Sequence, residues 1–290
     1  MFPWCDVMSD SIVEAILLGI SQDAGVPQAG CMCKNCFTAR VDANKRQLAV
    51  CLGLIDRQVG KSWIIDCTPD FPEQLHLLNE YAPECVFSGI FVSHAHIGHY
   101  TGLIHLGREA MNTQLVPIYV SDSMTEFLRC NLPWGQLVEE QNIELVKLRP
   151  NITFELSPNL SVIPKLVPHR EEYTDTFAFI ISGTRRKLFY CPDIDSWDDW
   201  GYDLRDFINN VEIALLDGTF FDADELPGRD MTEVKHPLIM DTANRLRDAN
   251  CDVRFVHLNH TNVLLDLEMA NRISKIYGVN IGNKGDRWSL

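Results

Sequence analysis

Histidines at 94, 96 and 99 crowd into the run VSHAHIGHYTGL, directly after the short apolar stretch GIFVS. GIFVS reads as a buried strand, and residues 98–111 carry apolar residues at helical spacing, so the cluster sits where a strand gives way to a helix. Side chains at i and i+2 of an extended segment project to the same side, and a third imidazole can return to that point from the first turn of a helix. Imidazoles gathered in this way are ligands for a transition metal, zinc above all. The alternative is three unrelated polar or packing histidines. With 9 His in 290 residues, chance is a poor explanation for three within six positions.

Elsewhere the pattern is one of many strands with helices between them. Residues 11–21 (SIVEAILLGIS) read as a first strand feeding the loop QDAGVPQAG, and 47–56 with 62–67 as a hairpin closed by RQVGK. Further strands are expected at 89–93, 116–120, 143–148, 160–167, 176–181, 187–191, 211–216 and 253–258, and helices at 72–81, 123–130, 237–249 and 265–277. There is no Gly/Ser-rich linker and no internal repeat. One α/β domain built in layers, residues 11–290, is expected after a short extension at 1–10.

Three more ligand-type residues close later strands: His169 in LVPHR, Asp193 in YCPDID and His257 in VHLNH. Each has a structural alternative. His169 could be solvated beside Arg170, Asp193 could cap a helix near Ser196, and His257 could be a satisfied core group. Cys51, Cys67, Cys85, Cys130, Cys191 and Cys251 stand singly in apolar runs and read as small buried hydrophobes. Cys31, Cys33 and Cys36 differ: C-x-C-x-x-C in a polar loop with Gly30, Lys34 and Asn35 brings three thiolates within reach of one ion, a reactive thiol trio being the alternative. A reducing, cytoplasmic location suits both groups.

The order strand, H-x-H-x-[DG]-H, helix resembles the signature of the metallo-β-lactamase superfamily, whose motif is H-x-H-x-D-H. Here Gly98 stands in the aspartate's place. The resemblance implies a four-layer αββα sandwich with His94, His96 and His169 at a first metal position, Asp193 between two positions, and His99 and His257 at the second. The N-terminal C-x-C-x-x-C resembles that of the branch holding the pyrroloquinoline-quinone biosynthesis B proteins and the phosphonate-pathway cyclic phosphodiesterases. The phrases QDAGVPQAGCMC, CPDIDSW and LLDGTFF look closest to the quinone-biosynthesis B proteins, with the similarity extending over nearly the whole chain from Ser11. That branch implies a structural zinc closed by Cys31, Cys33, Cys36 and His260, which would pin loop 25–36 against the strand carrying His257.

The expected activity is metal-dependent hydrolysis of an ester, lactone or phosphodiester-type bond, with one or two zinc ions at the active site and iron or manganese as alternatives. Asp193 and His257 are the candidate catalytic residues. Two other functions stay open. His99, His257 and Asp193 match the two-histidine, one-carboxylate set of non-haem iron oxygenases, which favours an oxygen-using enzyme resembling the quinone-biosynthesis B proteins. A metal-stabilised binding or carrier protein without turnover is the third, with Gly98 as its support.

Composition restricts partners more than fold. A net charge of −15 and the lack of a basic patch disfavour nucleic acid and anionic membranes, leaving a small-molecule substrate and, as oligomer, a homodimer. Apolar stretches such as 48–55 fall far short of a membrane span. Residues 1–9 lack the basic region of a secretory signal. Asp217 in DGTFF, and Asp66 and Asp70 in IDCTPDF, are each either carboxylates that orient a ligand imidazole or turn residues. His236, beside Lys235 and Pro237, is read first as the start of a helix and second as a group reaching an anionic substrate. His76, His105, Trp197, Trp200 and Tyr202 are expected to serve packing or surface roles.

Overall fold

Alternate side chains of β1 (Val13–Gly19) enter different cores. Val13, Ala15 and Leu17 point to one, Ile16 and Leu18 to another, as the period of a strand requires. The computed structural model describes residues 12–290 except 227, 229, 231 and 232, so the expected extension at 1–10 lies outside the described residues. β1 pairs with β2 (Cys51–Asp56), and the sheet continues through β3 (Lys61–Ile65), β4 (Val86–Phe91), β5 (Val116–Val120) and β6 (Ile143–Lys147). The second sheet runs in chain order through β7 (Phe154–Ser157), β8 (Leu160–Val167), β9 (Thr176–Ser182), β10 (Lys187–Cys191), β11 (Ile213–Asp217), β12 (Asp252–Val256) and β13 (Asn280–Ile281). The final strand, β14 (Arg287–Ser289), returns to the first sheet beside β1.

Leu52, Trp63 and Phe91 of the first sheet meet Phe177, Phe179, Phe189 and Phe255 of the second in one continuous core. Of the helices, α1 (Lys34–Val41) carries Cys36, while α2 (Phe71–Tyr81), α4 (Asp122–Cys130) and α5 (Trp134–Glu139) pack on the first sheet through Phe71, Leu78, Met124, Leu128 and Leu137. A single turn, α3 (Ile97–Tyr100), follows the histidine motif. On the second sheet α6 (Leu204–Ile208), α7 (Ile239–Arg245) and α8 (Leu267–Tyr277) bury Leu204, Ile208, Ile239, Ala243 and Ile273. The layers are helix, sheet, sheet, helix, the αββα sandwich expected.

Strand direction puts the site where it is. β1 and β3 are both antiparallel to β2, and β4 is parallel to β3. In the second sheet β8 and β10 are both antiparallel to β9, with β11 and β12 parallel to β10. The loops after β1, β3 and β4 therefore leave one edge of the first sheet, and those after β8, β10, β11 and β12 one edge of the second. Ser21 bridges the edges, pairing with Ala49 before β2 and with Leu258 after β12. Ligand sites in sheets of this kind form beyond the carboxyl ends of the strands.

Three expectations change. The helix read over 98–111 is α3 followed by a 3-10 segment, Thr101–Leu106, because the Gly102 amide donates to the Cys67 carbonyl at 2.9 Å rather than to its own helix. Cys36 lies inside α1, not in a loop. Cys130 is exposed and Cys251 half-buried, whereas Cys51, Cys67, Cys85 and Cys191 are buried as expected, and all nine described cysteines are free. No helix among the described residues is long and apolar enough to cross a membrane.

A Cβ on Gly102 would lie 2.1 Å from the Thr68 carbonyl oxygen and 2.7 Å from Phe71 Cβ. Gly102→Ala should therefore destabilise the fold by about 1–3 kcal/mol through overpacking. Thermal denaturation should show the midpoint several degrees lower; an unchanged midpoint would contradict this packing.

Candidate metal centre

His94 and His96 extend from the end of β4, and His99 turns back from α3. His169 lies two residues beyond β8, Asp193 two beyond β10, and His257 directly after β12. All of the expected active-site residues meet at this edge. Asp193 Oδ2 lies 3.4 Å from His94 Nε2, 3.2 Å from His169 Nε2, 3.6 Å from His99 Nε2 and 3.7 Å from His257 Nε2. His96 Nδ1 is 2.9 Å from His94 Nε2 and 3.1 Å from His169 Nε2. Ligand atoms around a tetrahedral zinc with Zn–N near 2.0–2.1 Å stand about 3.3 Å apart. The spacing of His94, His96, His169 and Asp193 fits that.

Each imidazole is held by a partner on its other nitrogen, the arrangement that fixes tautomer and aim in metal sites. His94 Nδ1 pairs with Ser93 Oγ at 3.0 Å, and His99 Nδ1 donates to Asp66 Oδ2 at 2.8 Å. His169 Nδ1 donates to Asp195 Oδ1 at 2.9 Å, and His96 Nε2 lies 3.3 Å from Glu172 Oε2. Thr219 Oγ1 donates to Asp217 Oδ1 at 2.7 Å, so its lone pair is what accepts from His257 Nδ1 at 2.8 Å. Nε2 of His257 is thereby left facing Asp193. Backbone at Asp66 and His257 is left-handed, with φ of 70° and 63°, a conformation non-glycine residues hold only where the surroundings impose it.

Two buried nitrogens, His99 Nε2 and His257 Nε2, and the buried Asp23 Oδ1 have no hydrogen-bond partner. Buried polar atoms are rarely left so. Their ligand atoms lie within 4.8 Å of one another, as do those of His94, His96, His169 and Asp193. The donor sets fit two neighbouring divalent cations with Asp193 between them. Burial and the neighbouring His99 hold His94 well below the usual histidine pKa, the neutral form a ligand needs. Burial opposes the charge on His99 as well, but Asp66 and Asp23 outweigh it and raise its pKa.

Cys31, Cys33, Cys36 and His260 also converge, 3.4 Å separating His260 Nδ1 from both Cys31 Sγ and Cys33 Sγ. Mixed ligand spacing at a tetrahedral zinc with Zn–S near 2.3 Å is about 3.5 Å. Amides of Cys33 and Gln28 donate to Cys31 Sγ and Cys36 Sγ at 3.4 and 3.2 Å, and Asn35 Nδ2 donates to the carbonyls of His260 and Asn262 at 3.0 Å each. The cysteine segment is thus fastened to the chain three residues beyond His257.

His236 is not the plain helix-start residue that sequence reading favours. It is buried, with Nδ1 2.9 Å from Asp217 Oδ2 and 3.4 Å from Asp193 Oδ1, because the chain before α7 folds over the end of β11. Asp66 and Asp217 orient imidazoles, whereas Asp70 accepts from the Ala49 amide at 2.8 Å and is structural. Asp23, Asp195 and Thr219 escaped sequence reading. A carboxylate two residues after Asp193 in CPDID was the available signal for Asp195, but nothing local marks Asp23. Trp197 and Trp200 pack, donating to Thr242 Oγ1 and the Leu166 carbonyl, His105 stacks on Phe71, and His76 is exposed. A cavity of about 330 Å³ lined by Asp195, Trp197, His236, Leu238 and Arg245 borders the centre. A larger one, about 490 Å³, lies beside Cys33 and Arg272 and contains no member of the histidine cluster, so it is not the reaction site.

A family model described as a beta-lactamase superfamily domain matches residues 62–280. The chain belongs to that superfamily. Coenzyme PQQ synthesis protein B of Methylobacterium sp. (strain 4-46) is 23% identical over 302 residues, covering 94% of this chain and 98% of the relative. An octanoyltransferase of Porphyromonas gingivalis is 27% identical over 164 residues, which is 54% of this chain but 31% of that protein. Zn(2+)-bound PqqB from Methylobacterium extorquens superposes with a TM-score of 0.79 at 18% identity, covering 96% of this chain and all of that one. A diphosphatase of the PhnP family superposes at 0.70 with 20% identity, covering 95% and 96%.

Two outcomes follow from this geometry. Asp195→Asn or Asp66→Asn should weaken metal retention by about 10–100-fold, as loss of a partner to a ligand imidazole generally does; competition with a chelator of known affinity measures it, and an unchanged affinity would contradict these roles. His260→Ala should remove one zinc equivalent. Even 3 kcal/mol of the about 10 kcal/mol that structural zinc gives to peptides would lower the thermal midpoint by about 6–12 °C.

Proposed function

We propose that the protein is a metal-dependent hydrolase acting on an ester, lactone or phosphodiester-type bond of a small molecule. The observation that carries this reading is the placement of four imidazole Nε2 atoms within 3.7 Å of one carboxylate oxygen of Asp193. His94, His96, His169 and Asp193 would hold one divalent cation, and His99 and His257, with Asp193 shared, a second. Ions held there would lower the pKa of a coordinated water to about 7 and would offset negative charge developing on the bond under attack.

The chain's own groups supply orientation and proton handling. Asp193 is held ionised against the cost of burial by His169 and His257, so it remains an acceptor at neutral pH. Asp195 and Asp66 lock His169 and His99, preserving the geometry through turnover. His236, kept in place by Asp217, stands at the wall of the 330 Å³ cavity, where a substrate's leaving group would meet a buried imidazole. Arg245 on the same wall suits an anionic substrate.

The set His99, His257 and Asp193 also matches non-haem iron oxygenases. The complete His94, His96 and His169 group beside it favours hydrolysis, because that group has no part in an iron-only scheme. Zinc-loaded protein should turn over a member of a panel of esters, lactones and phosphodiesters. His94→Ala and Asp193→Ala should each lower kcat/KM at least 10³-fold, about 4 kcal/mol. Full zinc occupancy without turnover on the panel, or oxygen consumption with iron alone, would contradict the reading.

A further inference from the structure

Gly98 removes a carboxylate from the second cation position, and Asp23 occupies the space it vacates. A Cβ on Gly98 would lie 2.3 Å from Asp23 Oδ1 and 2.5 Å from Asp23 Cα. A side chain at 98 and the present position of Asp23 are mutually exclusive. Asp23 Oδ1 stands 3.6 Å from His99 Nε2 and 4.0 Å from His257 Nε2, and none of these three buried atoms has a hydrogen-bond partner. We infer that Asp23, reaching in from the loop after β1, supplies to the second cation the carboxylate that the motif would otherwise place at residue 98.

The loop is built to hold Asp23 there. Ser21 bridges Ala49 and Leu258, the Gln22 amide donates to the Leu258 carbonyl at 2.9 Å, and the Gly25 amide closes a turn on the Gln22 carbonyl at 2.9 Å. Asp23 is therefore carried on the segment bound to the residue after His257. Asp193 Oδ2, 3.6 and 3.7 Å from the same two imidazoles, completes a set of two carboxylates and two imidazoles. The second position has its full count of ligands despite Gly98, with one of them moved to a different loop. This inference rests on the hydrolase reading only for what the second ion does, not for whether it binds.

Metal content of the full-length protein after dialysis against zinc-buffered solution tests it, with the visible spectrum of the cobalt-substituted form as a second readout. Wild type should hold three ions per chain, one at the cysteine site and two around Asp193. Asp23→Asn, nearly the same shape, should hold two, with the affinity of the lost ion lowered at least 100-fold and the cysteine-site ion retained as proof of folding. Asp23→Glu, which keeps a carboxylate on the same loop, should hold the third ion more tightly than Asp23→Asn does. Retention of three ions by Asp23→Asn, or two in wild type, would each overturn the assignment. Turnover measured alongside separates the two readings: two ions with turnover removes the role of Asp23 and leaves a hydrolase, whereas three ions without turnover does the reverse.

Discussion

A single buried carboxylate holds the active edge together. Asp193 Oδ2 is surrounded by nitrogens from β4, α3 and the loops after β8 and β12, so segments from both sheets converge on one oxygen. Packing this many polar groups into a site with so little water access is costly unless each finds a partner. The pairs Ser93–His94, Asp66–His99, Asp195–His169 and Thr219–His257 satisfy the outward nitrogens. The inward ones face one another, an arrangement that cations between them would resolve. The fold and the site thus share one requirement: strand ends that leave His99 Nε2, His257 Nε2 and Asp23 Oδ1 buried without partners would be satisfied as a ligated cluster.

The first loop couples that cluster to the rest of the chain. Ser21 stitches the two sheets at their shared edge, and the Cys31, Cys33, Cys36 and His260 group clamps the far end of the same loop to the segment after His257. The cysteine group and the histidine group are therefore linked through a few residues of backbone. Metal bound at one group would lower the cost of ordering the other, since ligands absent from any fixed arrangement in the unfolded chain must be assembled in both.

Much of this was legible in the sequence because it is local. H-x-H-x-x-H and C-x-C-x-x-C are each read within a few residues, and apolar β-branched runs marked eleven of the strands near their observed bounds. His169, Asp193 and His257 were found by their place just after a strand. What was missed is non-local. β7, β13 and β14 are short edge strands whose pairing depends on neighbours far along the chain. His236 looked like a helix start, and only the fold of the chain over β11 brings it beside Asp217. Asp23 and Gly98 are 75 positions apart, and the absence of a side chain at one says nothing in sequence about which residue fills the gap.

The most direct test of the account is anomalous diffraction at the zinc edge from crystals of the metal-loaded protein. It should place one peak among the three thiolates and His260, and two more about 3.5–4 Å apart on either side of the Asp193 carboxylate, the separation of paired metals that act together. Anomalous density absent from the neighbourhood of Asp193, or located beyond bonding distance of the imidazoles of His94, His169 and His257, would contradict it.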